Sequence, residues 1–372
     1  MDSAAVPCFV PEELIVEKAV EHTDLAQRIL TRFADVPIAR VEDAQQIWLQ
    51  AQHARVRHEW QGKVLLARQR GPFLRLCPGT KKHICCLYQN LDVAAGCDLN
   101  CTYCILQGYL QSSLVTWYCN LEDLYQEVDR ELTSHPEHFY RIGTGELSDS
   151  LTFDPCTHLA VDLVRFFRTR RNAILELKSK NTHVDELLEV DHGGRTVVSW
   201  SLNAAPIARS EEAAAPDIEA RLRAARKVQE AGYWLGFHFD PMIDYPDWRQ
   251  GYRETVDRLF SAIRPEQIAW ISLGALRYPA AMDEAIRKNY PESTIVLGEL
   301  LPGIDGKYRY LKTMRLEMFR EMVRWIRGYS AAPVVYLCME SDEVWHKAFG
   351  WSPGSSARLK VLLDDRVRSA PK

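Results

Sequence analysis

Between residues 91 and 273 the chain alternates short, largely apolar runs with helix-patterned segments, and few folds accept that alternation. Residues 91–95, 140–144, 173–177, 196–202, 233–239 and 268–273 have the length and apolar continuity of buried strands. Residues 121–133, 158–169, 183–190, 218–231 and 248–263 between them carry apolar side chains at helical spacing. Six β/α units are too many for a small sandwich and too regular for segregated strands and helices. They predict an α/β fold with a parallel sheet and right-handed crossovers, a partial (β/α)6 barrel of the TIM type. Chemistry in such folds gathers at the C-terminal ends of the strands, and each motif below follows a strand. Residues 86–300 would form this barrel. Residues 1–85 read as a mostly helical extension, with helical stretches at 23–34 and 41–57. Residues 301–372 read as a cap with a helix near 316–327, a strand at 333–337 and a frayed end.

The first strand runs into Cys97-Asp-Leu-Asn-Cys101-Thr-Tyr-Cys104, three cysteines at C-x3-C-x2-C spacing. Three thiolates so spaced wrap one face of a cubic [4Fe–4S] cluster, and no fourth cysteine follows at the short ferredoxin interval. One iron is then open to chelate the amino and carboxylate groups of S-adenosylmethionine (SAM). The motif, with Tyr103 before its third cysteine, resembles that of the radical-SAM superfamily. A structural zinc site is the other reading, but such sites usually pair cysteines or add histidines at regular spacing. Upstream, Cys77, Cys85 and Cys86 read either as ligands of a second metal or as buried free thiols.

Ten cysteines without a basic and apolar leader at the N-terminus point to a reducing, cytoplasmic setting. No apolar run approaches the roughly 18–20 residues needed to span a bilayer, so no membrane partner is expected. The formal net charge of −4 confines any nucleic-acid surface to a local patch. One candidate holds Arg55, Arg57, Lys63, Arg68, Arg70, Arg75, Lys81 and Lys82 against the single acid Glu59, with Trp60 and Phe73 interleaved. It reads equally as a phosphate-tracking surface or as a solvated charged face.

The strand-end motifs carry the remaining chemistry. Gly143-Thr-Gly-Glu-Leu-Ser-Asp-Ser150 combines close-approach glycines with Glu146, Ser148 and Asp149 as acceptors for an ammonium group, or else forms a helix-capping loop. Lys178 and Lys180 after the third strand offer a cation for a carboxylate, or face solvent. Ser201 and Asn203 share a face at the fourth strand's end, as do His238 and Asp240 at the fifth. Arg277 and Tyr278 after the sixth suit a phosphate and a base. Lys307-Tyr-Arg-Tyr310 alternates cations and aromatics, as a nucleotide contact or a surface hairpin does.

Taken in order, these segments resemble the spore photoproduct lyase family. The resemblance runs through Gly96–Gln107, Ser148-Asp149, Lys180 with His183-Val-Asp185, Ser201-Leu-Asn203, residues 231–237, residues 248–252, Arg277-Tyr278 and Lys288-Asn-Tyr-Pro291. It covers roughly residues 90–315. It implies a radical-SAM barrel in which Cys97, Cys101 and Cys104 hold a [4Fe–4S] cluster. Tyr103, Ser148, Asp149, Lys180, Ser201, Asn203 and Asp240 would line the SAM site. Reductive cleavage of SAM would give a 5′-deoxyadenosyl radical, which in the lyases attacks the methylene of a cross-linked thymine dimer in DNA. Arg277 and Tyr278 would face the substrate as catalytic residues, and Glu146 would stand in the reaction zone. Damaged DNA and an electron donor such as flavodoxin or ferredoxin are the implied partners; the oligomeric state is left open. Two positions depart from the family. Glu146 replaces the cysteine that returns a hydrogen atom in the lyases, and Ile105 replaces a tyrosine after the third cluster cysteine. A radical-SAM enzyme acting on a peptide, RNA or small molecule is therefore the second expectation, and a metal- or redox-sensing protein the third.

Overall fold

The computed structural model describes residues 9–53, 57–80, 82–110, 112–303 and 305–368. Its main sheet has eight strands in the order Val334–Leu337, Ile268–Ala275, Trp234–Met242, Thr196–Ser201, Ala173–Ser179, Tyr140–Gly143, Gln89–Leu91 and Leu74–Leu76. The first seven run parallel, and Leu74–Leu76 closes one edge antiparallel. The sheet curls into the expected half-barrel. Every residue of Ile268–Ala275 is buried, because helices cover the outer face and the lumen is walled by the sheet itself. Helices Leu121–Ser134, Leu159–Phe167, Ile218–Glu230 and Trp248–Ala262 pack outside. The first of them turns Leu124, Val128 and Leu132 inward at i, i+4, i+8.

Several local expectations change. The run 91–95 splits: Gln89–Leu91 pairs with Tyr140–Gly143, while Ala94–Ala95 pairs with Val115–Tyr118 in a second sheet. The expected helix 183–190 shrinks to the single turn Asp185–Leu187. The segment before the barrel is not mostly helical. It holds the parallel strands Glu13–Glu17, Ile38–Val41 and Lys63–Ala67, with helices Asp24–Arg32 and Ala44–Gln52. Leu14-Ile-Val16 and Val64-Leu-Leu66 are short apolar runs whose strand character the flanking helical patterns hid. Thr23 and Asp43 cap the two helices by accepting from the amides of Ala26 and Gln45. Val115–Tyr118 and Ala94–Ala95, from the stretch expected to belong to the barrel, join this sheet instead.

The tail likewise feeds the barrel. Val334–Leu337 is its seventh parallel strand, and helix Ser356–Val367 buries Leu359, Leu363 and Val367 against it. Arg141 in the second barrel strand meets Asp364 of that helix at 2.9 Å, both side chains almost wholly buried. Leu300–Pro302 and Lys307–Tyr310 form a small antiparallel sheet with Arg277–Pro279.

The basic stretch resolves toward a paired face. Lys63, Arg68, Arg70 and Arg75 are ion-paired with Glu13, Asp123, Glu17 and Asp92. Arg55 and Lys81 lie outside the described residues, as does the side chain of Arg57. No helix among the described residues is long and apolar enough to cross a membrane.

Candidate active site

A cavity of about 970 Å³ opens at the C-terminal ends of the barrel strands. The cluster loop forms one wall, and Cys97, Cys101 and Cys104 all reach it, none of them in a disulfide. Gly96 starts the loop at φ +94°, where a Cβ would stand 2.9 Å from the Leu114 carbonyl oxygen. Its amide donates to Leu147 O at 2.9 Å, and its carbonyl accepts from the Ser148 hydroxyl at 2.8 Å. Thr152 donates to Asp98 at 2.6 Å, and Thr102 is held by Glu211 through both backbone and side chain. The loop is thus fixed from two directions without using a cysteine.

Among the described residues no three Cys, His, Asp or Glu side chains converge closely enough to share one metal ion, Cys77, Cys85 and Cys86 included. In a cluster each of the three motif thiolates would bind its own iron. Lys180 is the leading charge acting on the buried Cys101 thiol. Burial pushes that thiol up to about 12 and Lys180 pulls it back, so thiolate ligation there has a cation beside it. The donor set and its surroundings therefore fit a [4Fe–4S] cluster.

Tyr103 does not offer its hydroxyl to the cavity. It donates to Glu212, which also takes a 2.5 Å bond from the fully buried Arg221. Lys180 sits over the Tyr103 ring at 5.4 Å. Burial would raise the Glu212 carboxyl, but Arg221 and Lys180 outweigh it and hold it low.

At the second strand's end Gly143 and Gly145 permit contacts no other residue allows. A Cβ on Gly143 would fall 1.5 Å from the Tyr88 hydroxyl, and one on Gly145 2.8 Å from Lys178 Cβ. Glu146 then projects into the cavity. Ser148 and Asp149 also touch it, yet both are engaged in holding the loops. Asp149 accepts from the amides of Leu151, Thr152 and Lys180 and from the Ser179 hydroxyl, all within 3.0 Å.

Glu176 and Lys178 alternate along the third strand, Lys180 follows directly after its end, and all three line the cavity. Glu176, absent from the sequence expectations, accepts from Ser199 at 2.8 Å and Trp270 at 3.0 Å, and its Oε1 lies 2.9 Å from His238 Nε2. Burial pushes its carboxyl up, but His238 and Lys178 bring it down to about 2. The strand runs two residues further than expected, so Lys178 belongs to it. The overlooked signal was an acid inside an otherwise apolar strand, which in a barrel marks a lumen-facing position.

Ser201 lines the cavity, but Asn203 does not. Asn203 is buried beneath it, accepting from Tyr252 at 2.6 Å and donating to Pro241 O at 3.2 Å. Asp240 lines the wall and is gripped by Arg277 at 3.0 Å through each oxygen. Gly274 makes room for this pair, since a Cβ there would sit 2.5 Å from the Asp240 carboxyl carbon. Arg277 faces the cavity already paired, rather than free for a phosphate. Tyr278 points away from the cavity into the core, 2% exposed, with its hydroxyl 3.2 Å from Asp283. Strand alternation explains the split between these two neighbours.

The chain matches the family model described as spore photoproduct lyase over residues 81–326. It is 27% identical over 300 residues to the spore photoproduct lyase of Bacillus subtilis (strain 168), covering 78% of this chain and 85% of that one. The spore photoproduct lyase of Geobacillus sp. (strain Y412MC61) is 29% identical over 251 residues, covering 65% and 72% respectively. Among solved structures, a spore photoproduct lyase variant with bound AdoMet and dinucleoside spore photoproduct superposes with a TM-score of 0.81 at 23% identity. That match covers 89% of this chain and all of the other.

Proposed function

Because the chain belongs to the spore photoproduct lyase family of radical-SAM enzymes, we propose that it reverses a thymine-dimer type lesion in DNA within the barrel cavity. When bound, the reduced [4Fe–4S] cluster and SAM supply a 5′-deoxyadenosyl radical. Cys97, Cys101 and Cys104 would hold the cluster. Lys180, Ser201 and the second-strand loop around Ser148 would position SAM against it. Glu146, Lys178 and the Asp240–Arg277 pair would form the wall facing the lesion. The observation carrying this reading is that the cluster loop and the ends of the barrel strands open onto one cavity large enough for both SAM and a dinucleotide.

Asp149, Asn203 and Tyr103 support this site from behind through the hydrogen bonds above, and Tyr278 through packing. Electrons would come from a flavodoxin- or ferredoxin-type protein. Iron analysis addresses the second metal: about four irons per chain mean one cluster, about eight mean that Cys77, Cys85 and Cys86 hold another.

The test is anaerobic turnover of the reconstituted, reduced protein with an irradiated oligonucleotide. The expected result is 5′-deoxyadenosine together with loss of the dimer, both abolished in Cys101→Ala. SAM cleavage with no dimer reversal would transfer the assignment to a peptide, RNA or small-molecule substrate. That alternative draws on Glu146, a carboxylate in the reaction zone.

A further inference from the structure

Most carboxylates at the strand ends of the cavity are already spent. Asp149 is taken by backbone amides and a hydroxyl, Glu176 by His238, Trp270 and Ser199, and Asp240 by Arg277. Glu146 differs. It lines the cavity, yet among the described residues its carboxylate makes no hydrogen bond or ion pair. Lys178 is its counterpart on the same wall, and its ammonium likewise makes neither among the described residues. Gly145, the residue before Glu146, gives the lysine passage: a Cβ there would stand 2.8 Å from Lys178 Cβ and 3.1 Å from its Cε. The lysine stem thus runs along the backbone that carries Glu146. Burial pushes the Lys178 ammonium toward losing its proton, but Glu146, then Glu176 and Asp240, outweigh it and keep the charge. An anionic acceptor and a cationic donor therefore stand side by side without closing on each other. Desolvated charges so placed are costly until a ligand completes them.

The Watson–Crick edge of thymine complements such a pair, presenting a ring carbonyl, N3–H and a second ring carbonyl in a row. Cross-linking through ring carbons and a methyl group leaves that edge intact on both bases of a thymine dimer. We propose that Glu146 and Lys178 read the imide edge of one thymine of the lesion, an assignment that rests on the lesion-reversal reading above. Glu146 accepts from N3–H, and Lys178 donates to the neighbouring ring carbonyl. Enzymes that take a base out of the stack commonly identify it by this edge. Cytosine is rejected at both points, because it turns a lone pair at N3 toward the carboxylate and an amino group toward the ammonium. Exchange of the family's cysteine for Glu146 thus gives this chain a base-selective contact at that position.

The test is anaerobic calorimetry of the reconstituted full chain with SAM and no reductant, so that binding is read without turnover. The probes are a thymine-dimer dinucleotide and the same lesion methylated at both N3 atoms. Wild type should bind the methylated lesion about 10- to 100-fold more weakly, the worth of one hydrogen bond to a charged group. Glu146→Gln keeps the size of the side chain but not its charge. It should bind the parent lesion about three- to tenfold more weakly and the methylated one unchanged. Lys178→Met should weaken both lesions alike, with the preference against methylation intact. Iron content and SAM affinity should match wild type in both variants, which shows that they fold. Equal wild-type affinity for the two lesions would overturn the assignment while leaving the lesion reading in place. So would full discrimination in Glu146→Gln, since the preference would then be one of shape. Lost SAM affinity in that variant at unchanged iron content would give Glu146 to the SAM ammonium and overturn the assignment too. If SAM binds and neither lesion does, the lesion reading itself fails and the assignment falls with it.

Discussion

Arg277 holds both oxygens of Asp240 at 3.0 Å on the cavity wall, with side-chain exposures of only 13% and 21%. Burial pushes the Asp240 carboxyl up, and the guanidinium more than compensates, leaving it below its ordinary value. Arg277→Ala strands this carboxylate in a desolvated site and should cost about 3–5 kcal/mol in urea unfolding. Arg277→Lys should recover only part, because a point charge cannot reproduce the two-pronged contact. A loss within about 0.5 kcal/mol for Arg277→Ala would mean that water already satisfies Asp240.

Acid stability should report on Glu176. Its carboxyl drops from an ordinary 4.5 to about 2 because His238 and Lys178 outweigh the burial that pushes it up. A depressed acid contributes stability that is fully present above 4.5 and is lost as pH falls through about 2. His238→Ala removes the leading attraction, so the folded-state value rises and that window narrows. Circular dichroism should therefore show the variant unfolding at a higher pH than wild type on the acid side. Coincident acid limbs would show that Glu176 draws its stabilisation from Lys178 and Ser199 instead.

Much of this site was legible in the sequence, for a definite reason. Five of the six apolar runs are strands of one parallel sheet whose C-terminal ends lie together, so Glu146, Lys180, Ser201 and Asp240 meet at one cavity, and the split first run still delivers Cys97 to it. Direction was harder to read than position. Arg277 and Tyr278 are adjacent, and only one of two neighbours on a strand can face the lumen. Asn203 lies just beyond its strand, where alternation no longer governs, and its amide meets Tyr252, a residue 49 positions away. The parallel strands at Glu13–Glu17 and Lys63–Ala67 were lost for a similar reason. Each is only five residues long, and its partner is too far along the chain for local periodicity to reveal.

Glycine positions offer a sharp contrast. Gly143→Ala would put a methyl group 1.5 Å from the Tyr88 hydroxyl and 2.7 Å from the Glu176 carbonyl oxygen, and the carbonyl belongs to a central strand that cannot retreat. The expected cost is about 3 kcal/mol or more, seen as poor soluble yield or a lowered melting temperature. Gly328 sits inside helix Lys312–Tyr329, and a Cβ there would meet nothing within 4 Å. Gly328→Ala should accordingly stabilise the chain by roughly 0.5–1 kcal/mol. Equal effects at both positions would contradict the packing around the second strand.

Tyr103 separates support of the cofactor pocket from contact with the cofactor. Its hydroxyl is spent on Glu212, and that carboxylate is shared with Arg221 at 2.5 Å, so the phenol braces the cluster loop against the helix Ile218–Glu230. What it presents to the cavity is its ring, with the Lys180 ammonium 5.4 Å from the centroid. Tyr103→Phe keeps the ring and that cation–π contact but deletes one hydrogen bond to a buried carboxylate, a loss of about 1.5–3 kcal/mol. The variant should therefore unfold at lower urea while binding about four irons per chain and holding SAM with nearly wild-type affinity by calorimetry. Lys180→Ala should do the reverse, weakening SAM binding more than it weakens the fold, since it takes away a cavity-facing cation. Were Tyr103→Phe to lose SAM affinity with its unfolding unchanged, the hydroxyl would have to leave Glu212 and turn toward the cofactor on binding.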